Sequence, residues 1–189
     1  MLEKDRIDIE NEILDKLTGK DYLLWDATQK QDIIFQVFLK VFNSAACQKL
    51  IRKSDGLDAE KFFKEFLSYG IIEKFLADHD VEDIMINYLS PIFVHKTKDG
   101  LVKTDQHFSS KEEIYLLIKK LVFFSGRREI KKINNVELLD GKGRANIVYS
   151  PFGPQITITR AKENPVSMVE MVKDGALNAE LAGQVWLGG

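Results

Sequence analysis

The chain has one cysteine among 189 residues, three histidines, four prolines and no apolar run approaching the length of a membrane span. A lone Cys47 excludes an intrachain disulfide framework and fits a reducing compartment. No thiolate-stabilising residues surround it, so it reads as a small buried hydrophobe on a helix. The start, Met1-Leu2-Glu3-Lys4-Asp5, is polar and acidic, unlike a secretory signal, and the expected address is cytoplasmic. A dominant charge sign is also missing. Lys and Arg number 27 against 29 Asp and Glu, a net charge of -2, without the basic excess of a general nucleic-acid binder. No nucleic-acid partner is expected.

Hydrolytic machinery is lacking too. No glycine-rich run ends in Gly-Lys-Ser/Thr, and Gly141-Lys142-Gly143-Arg144, which has neither the loop spacing nor the following hydroxyl, reads as a hairpin turn. His79, His95 and His107 are scattered, with no i, i+4 pair and no cysteine companion, so no metal centre is expected. There is no nucleophile elbow. The chain alone is not expected to turn over a substrate.

What is present is the composition of a globular protein, 44% hydrophobic and 30% charged, with enough length to bury a core. Ile9, Ile13, Leu14 and Leu17 recur at helical spacing up to Gly19. A second helix is expected over about Thr28 to Cys47, with Ile33, Ile34, Val37, Phe38, Val41 and Phe42 on one stripe. A third follows Ser54 or Asp55, carries Phe62, Phe63, Phe66 and Leu67, and ends at Tyr69-Gly70. These stripes make a small helical bundle whose phenylalanines are core rather than a ligand box.

The period then changes. Ile84 to Ile86 and Ile92 to Val94 read as strands, the latter running into a Lys98-Asp99-Gly100 turn, and Leu101 to Phe108 as another strand. A helix opened by Ser109 or Ser110, with Glu112 and Glu113 in its first turn, turns Ile114, Leu116, Leu117, Leu121 and Val122 inward. Three more strands are expected at Val136–Leu139, Ala145–Tyr149 and Gln155–Thr159, then a helix from Val166 carrying Met168, Val169, Met171 and Val172, with a break at Gly175. The fold class is α+β: an amino-terminal helical bundle, then a sheet covered by a helix on one face. A last helical pattern starting at Leu177 is interrupted at Trp186-Leu187-Gly188-Gly189, which reads as a piece of a longer chain.

Four arginines carry the chemistry. Arg127 and Arg128 follow the inner helix, Arg144 begins one strand and Arg160 ends another, and antiparallel packing of such strands brings guanidinium groups to one edge of the sheet. Planar, permanently charged forks suit phosphate oxygens. Solvated surface charges with local carboxylate partners are the alternative.

The segment Gly70-Ile71-Ile72-Glu73-Lys74-Phe75-Leu76-Ala77-Asp78-His79-Asp80-Val81-Glu82-Asp83-Ile84-Met85-Ile86-Asn87 resembles the amino-terminal domain of the type II/type IV secretion ATPase superfamily. The resemblance is to the branch that drives tight-adherence pili and the archaeal pilus and archaellum motors. It continues through Phe108, Gly126-Arg127-Arg128, Asp140-Gly141 with Arg144 and Asn146, and Ile156-Thr157-Ile158-Thr159-Arg160, then Pro165, Met168 and Leu177, covering about residues 55 to 187. The family's Asn-Gly-Pro is replaced here by Asn87-Tyr88-Leu89-Ser90-Pro91, and its Arg-Arg-Ile-Asp by Arg127-Arg128-Glu129-Ile130-Lys131.

The resemblance implies a helical leader over 1–78, a PAS-like α+β nucleotide-interface domain over 79–163, and a linker with the start of a RecA-like ATPase domain over 164–189. It implies that Arg144 and Arg160, with Arg127 and Arg128 beside them, contact nucleotide phosphates, while the parent protein supplies ATP, Mg²⁺ and the phosphate cradle. Implied partners are the RecA-like domain of the same or a neighbouring subunit and a membrane platform protein, in a homo-hexamer lying peripherally on the inner face of the membrane. The competing expectation is a free-standing PAS-like sensory or scaffold domain.

Overall fold

Ile9, Ile13, Leu14 and Leu17 are all buried on α1 (Glu3–Leu17). Asp26 opens α2 (Ala27–Phe42) with a capping box: its carboxylate accepts from the Gln29 amide, and the Gln29 side chain accepts from the Asp26 amide. The continuous helix expected over 28–47 is instead two helices. α2 stops at Asn43, and the Ser44 hydroxyl accepts from the Cys47 amide to start α3 (Ala45–Arg52). A serine that caps a new first turn competes with continuation of the old helix. Cys47 is buried on α3, and burial pushes its thiol up from its ordinary value.

The structure, a computed structural model, describes residues 3–52, 58–161 and 167–187. Ser54 and Asp55, expected to precede the third helix, lie outside these, as do Lys162, Pro165 and Val166. Asp58 caps α4 (Ala59–Leu67) by accepting from the Glu60 amide. Phe38 of α2 packs among Phe42, Phe62, Phe63 and Phe66, and Phe66 meets Phe124 edge-on at 5.3 Å. The phenylalanine stripe is core, as its spacing indicated.

A 3-10 turn at Gly70–Ile72 and the short α5 (Glu73–Leu76) lead into β1 (Val81–Asn87), β2 (Phe93–Lys96) and β3 (Gly100–Lys103). The last is shorter than the strand expected over 101–108. After Lys103 the chain leaves the ladder, with Ile92 donating to Gln106 and accepting from the Thr104 amide and hydroxyl. Ser110 caps α6 (Lys111–Phe124) by accepting from the Glu113 amide, while the Glu113 carboxylate accepts from Ser109. β4 (Ile133–Glu137), β5 (Gly143–Ser150) and β6 (Gly153–Arg160) follow, then α7 (Met168–Lys173) and α8 (Ala179–Leu187). β4 lies three residues earlier than the Val136 start expected. Leu138 and Leu139 are drawn into the turn, where the Leu139 amide donates to the Tyr69 hydroxyl.

The six strands form one antiparallel sheet in the order β3-β2-β1-β6-β5-β4. Its covered face carries Ile84, Ile86, Ala145, Ile147, Ile156 and Ile158, all buried. Alternation with period two puts Asp83, Arg144, Asn146, Thr157 and Thr159 on the open face. α6 is apolar nearly all round because it is packed on both sides, by α1 and by the sheet. Lys120 on its leader side pairs with Glu10 of α1 at 2.7 Å and donates to the Ser68 carbonyl at 3.0 Å. Glu10 is 0% exposed and Lys120 4%; burial pushes the amine below its ordinary range, against the pull of Glu10. Buried residues of the leader helices and of the sheet belong to a single cluster.

Candidate anion-binding site

β4 pairs with β5 so that Val136 faces Ala145, and the ladder bonds run from Leu138 to Gly143 and from Tyr149 to Lys132. Asn135 and Glu137, between those bonded pairs, therefore turn their backbone groups outward and sit close to Asn146 and Arg144. The Arg144 guanidinium lies 3.7 Å from the Glu137 carboxylate, and the Asn146 amide donates to the Asn135 side chain at 2.5 Å. Both arginine and glutamate are well exposed, so the pair contributes little to stability.

At the end of α6, Ser125 and Gly126 turn the chain towards β4. An added Cβ on Gly126 would sit 2.6 Å from the Tyr22 carbonyl carbon, and φ is +92° there, so the leader loop docks against a position only glycine fits well. The docking is specific: the Tyr22 amide donates to the Gly126 carbonyl, its hydroxyl to the Phe123 carbonyl, and the Gly19 amide to the Arg128 carbonyl. Burial pushes the Tyr22 phenol up from its ordinary value.

The four arginines fall into three settings. Arg127 donates to the outward Asn135 carbonyl at 2.8 Å and lines a cleft of about 530 Å³ with Arg144, under Leu23 and Leu24 of the leader loop. Arg128 turns away to pair with Asp21 at 2.8 Å. Arg160 lies opposite Gly143, one position from the Arg144–Thr159 pair, and so projects from the other face of the sheet. There it donates to the Asp78 carbonyl at 2.6 Å. Lys96 bonds the Asp78 carboxylate at 2.8 Å and is the main reason it is held below its ordinary range. Arg144 and Arg160 nevertheless border one hollow of about 330 Å³ where β5 begins and β6 ends, floored in part by Gly141 and Gly143. The expected convergence on one edge is thus realised for Arg144 and Arg160, flanking it from opposite faces, while Arg127 meets Arg144 on the open face and Arg128 joins neither.

No protein-family model matches the chain. The chain is similar to uncharacterized protein MJ0900 of Methanocaldococcus jannaschii, 29% identical over 131 residues, 66% of this chain and 23% of that protein. It thus spans under a quarter of that relative's length. Among solved structures, the VirB11 ATPase from the Brucella suis type IV secretion system, in complex with sulphate, is similar over 57% of this chain and 33% of that one. That match has a TM-score of 0.44 and 15% identity, too slight to carry an argument about the site.

The sequence reading missed Lys30. This residue of α2 lines the open-face cleft, is 8% exposed, and makes no ion pair among the described residues. Its neighbours Gln29 and Gln31 are polar and its helical stripe runs through Ile33 and Ile34, so nothing in the local pattern distinguishes it from a solvated lysine. Of the Gly141–Arg144 run, Gly141 and Lys142 form the hairpin turn, with the Lys142 backbone amide donating to the Asp140 carboxylate at 2.9 Å, while Gly143 and Arg144 already belong to β5. Among the described residues no group of three or more His, Cys, Asp or Glu is placed to hold a metal, and no helix is long and apolar enough to cross a membrane.

Proposed function

We propose that this chain is the amino-terminal, non-hydrolysing module of a secretion or type IV pilus-assembly ATPase, and that it completes a nucleotide site supplied by a RecA-like domain. The observation that carries the reading is the hollow at the ends of β5 and β6, where Arg144 and Arg160 approach from the two faces of the sheet. Two guanidinium forks beside Gly141, which leaves open space over its backbone, suit the oxygens of a terminal phosphate, with Glu137 the carboxylate that such a phosphate would displace from Arg144. The signature Gly70–Asn87 supports it by forming the 3-10 turn, α5 and β1 that enter the sheet beside β6. In this reading ATP and Mg²⁺ are held by the partner domain, and the arginines stabilise charge on the transferred phosphoryl group. Homo-hexamer assembly, a membrane platform partner and a peripheral position at the inner face of the membrane belong to the same proposal.

The test is ATP turnover by the full-length protein, comparing wild type with Arg144→Ala and Arg160→Ala. Turnover lost in both, with unfolding transitions unchanged for Arg144→Ala, supports a shared phosphate site. Unchanged turnover in both reduces the arginines to surface charges, and measurable turnover by the 189-residue chain alone overturns the non-hydrolysing assignment.

A further inference from the structure

We propose that Tyr69 is a positioning residue for the strand-end hollow: its hydroxyl holds the β4–β5 turn, and through that turn sets Arg144 against Arg160. The inference rests on the phosphate-site reading above and adds the element that fixes the gap between the two guanidinium groups. Tyr69 follows the Ser68 cap of α4 and is 8% exposed. Its ring lies 6.2 Å from that of Phe124 on α6, and its amide donates to the Glu73 carboxylate at 2.6 Å, so ring and backbone are both held. Lys120 donates to the adjoining Ser68 carbonyl at 3.0 Å. The hydroxyl reaches further and accepts from the Leu139 amide at 3.0 Å. Burial pushes the phenol up from its ordinary value, so it serves there as a neutral acceptor. The neighbouring core positions Phe62, Phe66 and Phe124 do without a hydroxyl, and a phenylalanine would fill the Tyr69 ring site equally well. What a phenylalanine could not do is satisfy the buried Leu139 amide.

Leu139 belongs to the turn on which the hollow is built. The Leu138 amide donates to the Gly143 carbonyl at 2.9 Å, the Gly141 amide returns to the Leu138 carbonyl at 2.9 Å, and the Ala161 amide donates to the Lys142 carbonyl at 2.8 Å, which joins the turn to the end of β6. An added Cβ on Gly143 would meet the Leu138 side chain at 3.0 Å, so the neighbour of the tethered amide bears directly on the residue before Arg144. The other guanidinium is held from the same stretch of chain, because Arg160 donates to the Asp78 carbonyl at 2.6 Å. Tyr69 and Asp78 thus flank the 3-10 turn and α5, one steadying the Arg144 side of the hollow and the other Arg160. A cavity of about 390 Å³, bordered by Tyr69, Leu139, Lys142 and Arg160, lies between that stretch and the turn. Close packing does not fill this space, and the position of the turn depends on point contacts such as the hydroxyl bond. A misplacement of about 1 Å in a group that stabilises a transition state is enough to cost rate.

The experiment compares wild type with Tyr69→Phe, which deletes the hydroxyl and keeps the ring. In the 189-residue chain, amide NMR is expected to show shifts at Leu139, Gly141, Gly143 and Arg144, with the amides of α1 and β2 in place; shifts that stop at Leu139 overturn the role. In the full-length protein, ATP turnover is expected to lose about fivefold in kcat at unchanged KM. Adding Tyr69→Phe to Arg144→Ala is expected to cost nothing more, because the hydroxyl acts through that arginine; losses that multiply overturn the role. Ile13→Val, a trimmed core residue of α1, is the control for stability alone and leaves kcat unchanged. If Tyr69→Phe fails to fold, hydrogen exchange of the wild-type chain decides: the Leu139 amide should open together with those of Leu138 and Gly141, and a Leu139 amide that exchanges while the other two stay protected overturns the role. Unchanged turnover in Arg144→Ala removes the phosphate reading and this role with it. Turnover lost in Arg144→Ala, with the turn amides unmoved in Tyr69→Phe, overturns the role and leaves the reading standing.

Discussion

The two faces of the sheet differ in what they hold. The covered face is isoleucine and alanine against α6 and the leader; the open face is arginine, asparagine and threonine, with a cleft roofed by a single loop. Strands with period-two alternation separate two jobs along one stretch of chain, so that adjacent residues answer to different pressures. Ile158 is 0% exposed, while Thr157 and Thr159 beside it face out. Stability and recognition are therefore expected to be separable by mutation, except where the leader ties the two sides together.

The hardest blow to the covered side is Lys120→Met. It strips the buried Glu10 carboxylate of its nearer partner and leaves it only Arg6, at 3.0 Å, so it is expected to cost up to about 3–5 kcal/mol in urea unfolding, most of it recovered when Glu10→Leu is added. Ile158→Ala, which opens a cavity under β6, is expected to cost about 2–5 kcal/mol, while Thr157→Ala on the opposite face stays within about 0.5 kcal/mol. Equal costs for these two neighbours would dissolve the distinction between the faces. Gly126→Ala tests the tie between them: forcing a Cβ towards the Tyr22 carbonyl should cost about 1–3 kcal/mol and speed limited proteolysis within residues 19–26 ahead of the strands.

The smallest effect is a pH dependence. Asp78 has its carboxyl held down chiefly by the Lys96 hydrogen bond, so its contribution to stability is complete above the ordinary value of 3.8 and is lost as pH falls through the lower folded value. Both groups are solvent-facing, and the effect should appear only as a slight steepening of acid unfolding. Lys96→Met should reduce that steepening, leaving the part due to the Asp80 amide that also donates to the carboxylate.

Periodicity made the covered face legible. Ile9, Ile13, Leu14 and Leu17, the phenylalanines of α2 and α4, and the alternation of Ile156 and Ile158 each announce a buried side, and Ser110 with two glutamates announces a helix start. Element ends were harder, because Ser44, Thr104 and Leu139 are settled by one or two hydrogen bonds each that no pattern displays. The site was legible in part. Residue type and position at strand ends singled out Arg144 and Arg160, but the parity that puts them on opposite faces depends on the Gly143–Arg160 register, and Lys30 reaches the cleft through a loop docking more than ninety residues away in sequence. Arg128 resembled its neighbour in the chain, but Asp21 draws it off while Arg127 turns to the Asn135 carbonyl.

β4 is an outer strand of the sheet, and its odd-numbered residues present their backbone groups away from β5. Arg127 occupies one of these, the Asn135 carbonyl, and so blunts the rim against pairing with another copy. An Arg127 variant loses that guard as well as a cleft cation. Such a variant should scatter light increasingly with concentration, and its affinities are meaningful only when measured dilute.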